Sequence, residues 1–411
     1  GPAEMIKDEL SRLLPAYMIP NKVIVLDQIP LTENGKTDLA RLVALDAVRA
    51  ASSARPYVAP ATPIEQWLVE QWQTALKYDT VSTEDDFFDC GGNSLIAVAM
   101  INRINRHFGI RLPIQVIFEC PRLADMARRI EDGADDPSLR LVWLGGKKGG
   151  RPLFCWPGLG GYPMNLRLLG QSQPLGRPFY GIQSYGINSG EVPYQTISDM
   201  AAADIAEIRH LQPHGPYTLW GYSFGARLAF ETVWQLEQLG ETVDQLVLIC
   251  PGNPEVRHAR AADYGRTASF DNPIYLTILF SVFSDAISGP DLDECLRTSR
   301  DEDAFVLFIL GLYPDLDAPL VRRIVHIVGR TYEFEYSFRE LAERRVAAPI
   351  TIIKAQGDDY SFIEASSGYS TEPPVIVALD CDHYGVLRPE GIDRLVAELQ
   401  AARTAGTVRH H

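Results

Sequence analysis

Two serines offer chemistry in this chain of 411 residues, and they sit in opposite surroundings. Ser223 lies in YTLWGYSFGARLAF, residues 217–230: an apolar run that reads as a strand, then Gly-Tyr-Ser-Phe-Gly, then helical spacing. In that context Gly221 and Gly225 allow a tight turn and close helix–strand packing, with the Ser223 hydroxyl at the apex. The amide of Phe224, at the start of the helix, faces a developing oxyanion. A serine hydroxyl needs a base. His210 and His214 precede the serine, His258 and His326 fall in helical sequence, and His410 and His411 are terminal. His383, in VALDCDHYGVL, follows an apolar strand and precedes the last helix, which makes it the candidate base.

The acid that orients such an imidazole belongs at the end of a strand. In QLVLICPGN the position after the nucleophile helix is taken by Cys250. The next strand ends in TIIKAQGDDYSF, so Asp358 is the candidate, with Asp359 as the alternative. A second oxyanion donor is expected from FCWPGLGGYP, as the amide of Gly158 or Leu159. Those glycines lack the Gly-Lys-Ser/Thr of a nucleotide loop.

Ser94, in FFDCGGNSLIAVAM, has no such company. Two glycines and an asparagine precede it, a helical run follows, and the nearest histidine, His107, is at the far end of that run. A helix N-terminus favours an anion such as a phosphodiester. A hydroxyl on an exposed turn without its own base suits modification by a separate enzyme; spacing alone also fits an ordinary helix cap.

The elements that must position these residues change character along the chain. Residues 3–45 read as a short helix, an apolar strand at 22–26 and the turn TENGK, too few to bury a core alone. An Ala/Ser/Pro-rich linker follows. Thr62, Pro63 and Glu65 then spell a capping box, opening a helix at 63–77. Further helices are expected from Ser94, near 113–118 and at 121–131, a four-helix module. After the acidic linker EDGADDPS, strand-like runs alternate with helices, the grammar of a mostly parallel sheet covered on both faces. A mostly helical insertion of roughly 100 residues between LVLIC and APITIIKA is expected to form a lid.

Composition narrows the function classes. Net charge is −15, which argues against nucleic acid or anionic membrane as the main partner. No apolar run reaches the length of a bilayer span and no signal peptide is evident, so a cytoplasmic location is expected. The six cysteines show no CxxC pair and read as reduced thiols rather than a metal site.

DDFFDCGGNSLIAV resembles the peptidyl carrier motif of nonribosomal peptide synthetases, and the GYSFG half is similar to that family's terminal thioesterase. IPLTENGKTDLARL resembles the tail of an adenylation domain. The fold class expected is therefore multidomain: a four-helix carrier bundle plus an α/β-hydrolase with a helical lid, preceded by a small α+β adenylation-domain C-terminal fragment. The order implied is adenylation fragment 3–45, linker 46–61, carrier 62–132, linker 133–139 and thioesterase 140–405 with its lid at about 255–345. The resemblance implies phosphopantetheine on Ser94, installed by a phosphopantetheinyl transferase, and a substrate-contacting lysine at Lys36 that is idle without its partner domain. GGNSLIAV, GYSFGARLAFE and KAQGDDYSF together are similar to a single-module member that works on glutamine, which implies upstream adenylation and flavin-dependent oxidation domains outside this chain. Many members place the acid where Cys250 stands, so Asp358 rests on the alternative location. Two rivals stay open: a free-standing serine esterase with an accessory helical domain, and a catalytically degenerate thioesterase that only docks a carrier.

Overall fold

The computed structural model describes residues 57–92, 94–110, 112, 116–133, 140–146, 149–161, 163–172, 176–188, 191–254, 267–284, 288–314, 316, 318–333, 344–360 and 368–407, with residues 26 and 30 besides. The expected adenylation fragment, Lys36, most of both linkers and the two ends of the expected lid lie outside the described residues. The chain divides into two compact units, one holding residues up to Asn93 with Cys120–Gly133, the other Ser94–Glu119 with everything from Ala134.

Four helices stand in the first third: α1 Pro63–Leu76, α2 Ser94–Phe108, α3 Val116–Glu119 and α4 Leu123–Glu131. The capping box at α1 forms as the sequence predicts. Thr62 Oγ1 accepts from the Glu65 amide at 3.1 Å, and Glu65 Oε2 accepts from the Thr62 amide at 3.1 Å. Within the first unit α1 and α4 bury Leu68, Trp72, Leu123, Met126 and Ile130 around Phe87, whose ring meets Trp72 edge-on at 5.2 Å. Cys90 is buried beside this core, and burial together with Asp85, Asp89 and Asp86 pushes its thiol up to about 12, which keeps it unreactive. The stretch expected as a four-helix module at 62–132 holds α1 to α4.

The second unit is built on seven strands: β1 Leu141–Gly145, β2 Leu153–Trp156, β3 Phe179–Ile182, β4 Tyr217–Tyr222, β5 Val243–Ile249, and later β7 Ile350–Gln356 and β9 Val375–Asp382. Their order is β1-β3-β2-β4-β5-β7-β9, with β1 antiparallel to β3 and every other pairing parallel. A short antiparallel ribbon, β6 Asn253–Pro254 with β8 Asp358–Asp359, stands apart from it. The central strands read as unbroken apolar runs because helices cover both faces; all six residues of β4 are buried. On one face α6 Ile197–Leu211 and α7 Phe224–Gln238 bury Ile205, Ile208, Phe230 and Val233. On the other, α5 Arg167–Gln171 and α12 Pro389–Thr407 bury Leu169, Leu395 and Leu399. Between β5 and β7 the insertion forms α8 Pro273–Ser284, α9 Pro290–Thr298, α10 Glu302–Leu312 and α11 Ala318–Tyr332. No helix of the described residues is long and apolar enough to cross a membrane.

Candidate active site

The turn between β4 and α7 is dictated by what surrounds it. A Cβ on Gly221 would meet the Gly225 carbonyl oxygen at 2.2 Å, and one on Gly225 would meet the oxygens of Pro157 and Trp156 at 2.3 and 2.5 Å. Only two bare residues let strand, turn and helix approach this closely. Ser223, between them, has φ 54 and ψ −120, a conformation that L residues adopt rarely. The strain is held by the frame: the Ser223 amide donates to Ile249 of β5 at 2.8 Å, and its carbonyl accepts from Ala226 at 3.0 Å.

His383 follows β9, as the sequence predicts, and its Nε2 lies 2.9 Å from Ser223 Oγ. Its Nδ1 lies 2.7 Å from Asp358 Oδ2. Both side chains of the His–Asp pair are almost wholly buried, at 4% and 1% exposure, so the carboxylate has little water to satisfy it. A second donor does so: the Tyr360 hydroxyl reaches the same Oδ2 at 3.0 Å while accepting from the Ala355 amide at 2.7 Å. Burial, with the neighbouring Cys250 and Asp358, holds the Tyr360 hydroxyl far above its usual range, so it stays a donor. The imidazole is pinned from its backbone as well, since Tyr222 donates its hydroxyl to the His383 carbonyl at 2.9 Å.

The structure therefore brings Ser223, His383 and Asp358 into one hydrogen-bonded line and leaves Asp359 exposed on the ribbon beside them. Phe224 is the first residue of α7, and Gly158 comes close to the turn, a Cβ there lying 3.5 Å from Ser223 Cβ. Leu159 packs partly buried against the core. Cys250 directly follows β5 with φ 48, fully buried, its thiol raised well above the usual range by burial first and the Asp358 charge second. A neutral thiol at that place supplies no charge to an imidazole. Ser94 is the first residue of α2, and Gly91, in the turn before it, has φ 94 with nothing within 4 Å of where a Cβ would stand.

Tyr360 and Tyr222 were absent from the residues picked out by sequence. Their signals were adjacency alone: one tyrosine two residues after Asp358, one directly before Ser223. A third unanticipated contact joins the helical insertion to the residue after His383, Tyr384 donating to Ser281 Oγ of α8 at 2.9 Å. The insertion also reaches the loop after β2, where a Cβ on Gly160 would lie 2.7 Å from Val282. Behind that loop Trp156 Nε1 donates to the buried Asp204 at 2.8 Å, and Arg140 stands 3.5 Å from the same carboxylate. Burial outweighs the attraction of Arg140, and the Asp204 carboxyl is pushed up to about 6.

Comparison with known proteins gives two family matches: thioesterase domain over residues 151–271, and phosphopantetheine attachment site over residues 66–130. The chain is 55% identical over 401 residues to an indigoidine synthase of Streptomyces lavendulae, covering 97% of this chain and 31% of that protein. It is 53% identical over 400 residues to an indigoidine synthase of Dickeya dadantii strain 3937, covering 97% of this chain and 27% of that one. The chain thus spans about a third of the length of these curated relatives. In fold it is similar to a solved four-domain nonribosomal peptide synthetase bound to AMP and glycine, with TM-score 0.54 and 24% identity over 97% of this chain and 30% of that one.

Proposed function

We propose that the chain is part of a nonribosomal peptide synthetase, with a phosphopantetheine-attachment domain followed by a thioesterase domain, in which Ser94 holds the swinging acyl carrier arm and Ser223 unloads it. The observation that carries this reading is the line Ser223–His383–Asp358, with contacts of 2.9 and 2.7 Å in a nearly dry setting. Phosphopantetheine on Ser94 supplies a thiol on which an acyl group is held as a thioester. His383 Nε2 takes the Ser223 proton as Oγ attacks the thioester carbonyl. Asp358 keeps the proton of the ring on Nδ1 and stabilises the imidazolium. The amides of Phe224 and of Gly158 or Leu159 donate to the developing oxyanion, and the thiol leaves with the proton from His383. The acyl-Ser223 ester is then cleaved by water or by a nitrogen of the substrate itself.

The carrier spans 62–132 and the thioesterase 140–405, with the helical insertion as lid; 3–45 is the adenylation-domain tail, where Lys36 is idle. Because the similar proteins are indigoidine synthases, the acyl group is glutamine-derived and release serves indigoidine pigment formation. Its partners are upstream adenylation and flavin-dependent oxidation domains and a phosphopantetheinyl transferase, in the cytoplasm.

The test uses intact mass and thiol release. Incubation with a phosphopantetheinyl transferase and coenzyme A adds one arm, lost in Ser94→Ala and kept in Ser223→Ala. Ser223→Ala abolishes thiol release from a short acyl N-acetylcysteamine thioester and labelling by a serine-directed phosphonate. An arm that persists in Ser94→Ala, or thiol release that persists in Ser223→Ala, overturns the assignment.

A further inference from the structure

Arg323, on α11, joins two other parts of its compact unit through one guanidinium. Its Nε donates to the carbonyl of Ile187 at 2.9 Å, and its Nη2 donates to Asn102 Oδ1 at 3.3 Å. The first acceptor is rigidly held. Ile187 is buried in the loop that leaves β3, and Glu191 Oε2 fastens that loop by accepting from the amides of Gly186 at 2.8 Å and Asn188 at 3.2 Å. The second acceptor lies on α2, the helix that Ser94 opens, roughly 12 Å along its axis from that serine.

A second contact holds the same stretch of chain. The turn α3 packs on β1, close enough for the Glu119 charge to add to burial in raising the Tyr180 hydroxyl on β3. The stretch from Ser94 to Glu119 is therefore seated at two places, the helical insertion and the sheet edge. The Arg323 contact differs from an ion pair, because both acceptors are neutral. Neutral acceptors leave no opposite charge for salt to screen. They also use the fork of the guanidinium, which a lysine cannot reproduce. The Asn102 Nδ2 is buried without a partner among the described residues, so the amide is gripped through its oxygen alone. A contact anchored on one side suits a surface that must both engage and let go.

The geometry points to Arg323 as a positioning residue that latches α2 onto the helical insertion, so that an acyl group tethered at Ser94 is delivered to Ser223 from a fixed base. The inference rests on the carrier and thioesterase roles given above for those two serines. The partner of this surface is the chain's own carrier helix. Tethering keeps the effective concentration high, so one charge-assisted bond of this kind is enough to bias the encounter.

The experiment compares two readouts on the full chain. Ser94 is loaded with an acyl-phosphopantetheine by a phosphopantetheinyl transferase, and unloading is followed by intact mass in single turnover; hydrolysis of the free N-acetylcysteamine thioester is followed in parallel. Arg323→Ala, Arg323→Lys and Asn102→Ala each slow unloading about tenfold, the loss of one hydrogen bond to a charged group. The double variant Arg323→Ala/Asn102→Ala is no slower than Arg323→Ala alone, since the two act on one contact. Hydrolysis of the free thioester stays within twofold in all of them, and the unloading defect is unchanged between 50 and 500 mM salt on the order of screening lengths that abolish surface ion pairs. Parent-like unloading in Arg323→Ala, additive losses, or an equal fall in free-thioester hydrolysis each overturns the latch. If the parent protein neither loads at Ser94 nor cleaves the free thioester, the carrier and thioesterase roles fail and the latch falls with them.

Discussion

Asp358→Asn is the substitution that presses hardest on the active-site geometry. The carboxylate it removes is buried, 2.7 Å from His383 Nδ1 and 3.0 Å from the Tyr360 hydroxyl. Two losses are separable. The first is charge. When Ser223 gives its proton to the ring, the imidazolium faces a carboxylate about 4 Å away between charge centres, worth about 4 kcal/mol at an effective dielectric near 20. At 1.36 kcal/mol per decade that is about a thousandfold in rate. The second is tautomer. An asparagine can turn its amide nitrogen towards Nδ1, and the ring must then carry its proton on Nε2, where it blocks Ser223. Tyr360 opposes that turn, because its hydroxyl already donates to the atom facing His383 and needs an oxygen there. The expected loss is therefore about 10³-fold with Tyr360 present, deepening to about 10⁴-fold in Asp358→Asn/Tyr360→Phe, where nothing resists the wrong rotamer. Thiol release from an N-acetylcysteamine thioester measures it, with circular dichroism to confirm the fold. Asp359→Asn, on the exposed neighbour, stays within twofold. Retention of more than a tenth of the parental rate in Asp358→Asn, or a larger fall in Asp359→Asn, refutes the reasoning.

Three further substitutions test other parts of the frame. Cys250→Asp in the Asp358→Asn background restores at least tenfold of the lost rate, since φ 48 suits aspartate and the site lies beside the missing charge; a double variant as slow as Asp358→Asn refutes it. Gly225→Ala costs at least about 2 kcal/mol in urea unfolding and lowers the turnover of the folded protein, because its Cβ displaces the Pro157 carbonyl next to Gly158. Asp204 holds its proton to about 6 when folded against an ordinary 3.8, so its contribution to stability is present in acid and fades as pH rises through about 6. The stability difference between the parent and Asp204→Asn, read by urea unfolding at pH 4.5 and 7, therefore falls by about 2 kcal/mol at most as pH rises; a difference that grows with pH refutes it.

What the sequence made legible follows how local each cause is. The capping box at Thr62 and Glu65 and the Gly-x-Ser-x-Gly turn depend on residues within four positions of each other, and both form as read. The candidate base is reached by elimination along the chain, because of the five histidines after Ser223 only His383 directly follows an apolar, strand-like run. The supports of the triad were invisible for the opposite reason. Tyr222 meets His383 across 161 positions, and Ser281 meets Tyr384 across 103. Nothing in a tyrosine or serine on an apolar helix or strand says that its hydroxyl is committed to a residue so far away. The contact of Arg323 with Asn102 and Ile187 had no sequence signature either. It depends on acceptors such as the Ile187 carbonyl, which any residue would offer.

That the carboxylate against His383 comes from after β7 rather than from the end of β5 has a physical basis in the ribbon. β5 closes on Cys250, whose amide donates to Ile353 at 2.9 Å, and the chain then reverses through Pro251 and Gly252. Gly252 is forced by proximity: a Cβ there would lie 2.9 Å from Asp358 Cβ and from the Asp359 carbonyl oxygen. Asn253 and Pro254 next pair with Asp359 and Asp358. The segment that would deliver an acid from β5 is thus spent on bracing the one delivered from β7. A carboxylate at 250 as well would set two like charges in one dry site, and only one would ionise at neutral pH. A small, uncharged thiol avoids that conflict while filling the space. The departure at Cys250 and the choice of Asp358 are then one design, which predicts that Cys250→Asp alone, with Asp358 intact, slows thiol release near neutral pH and recovers as the pH is raised and the second carboxyl gives up its proton.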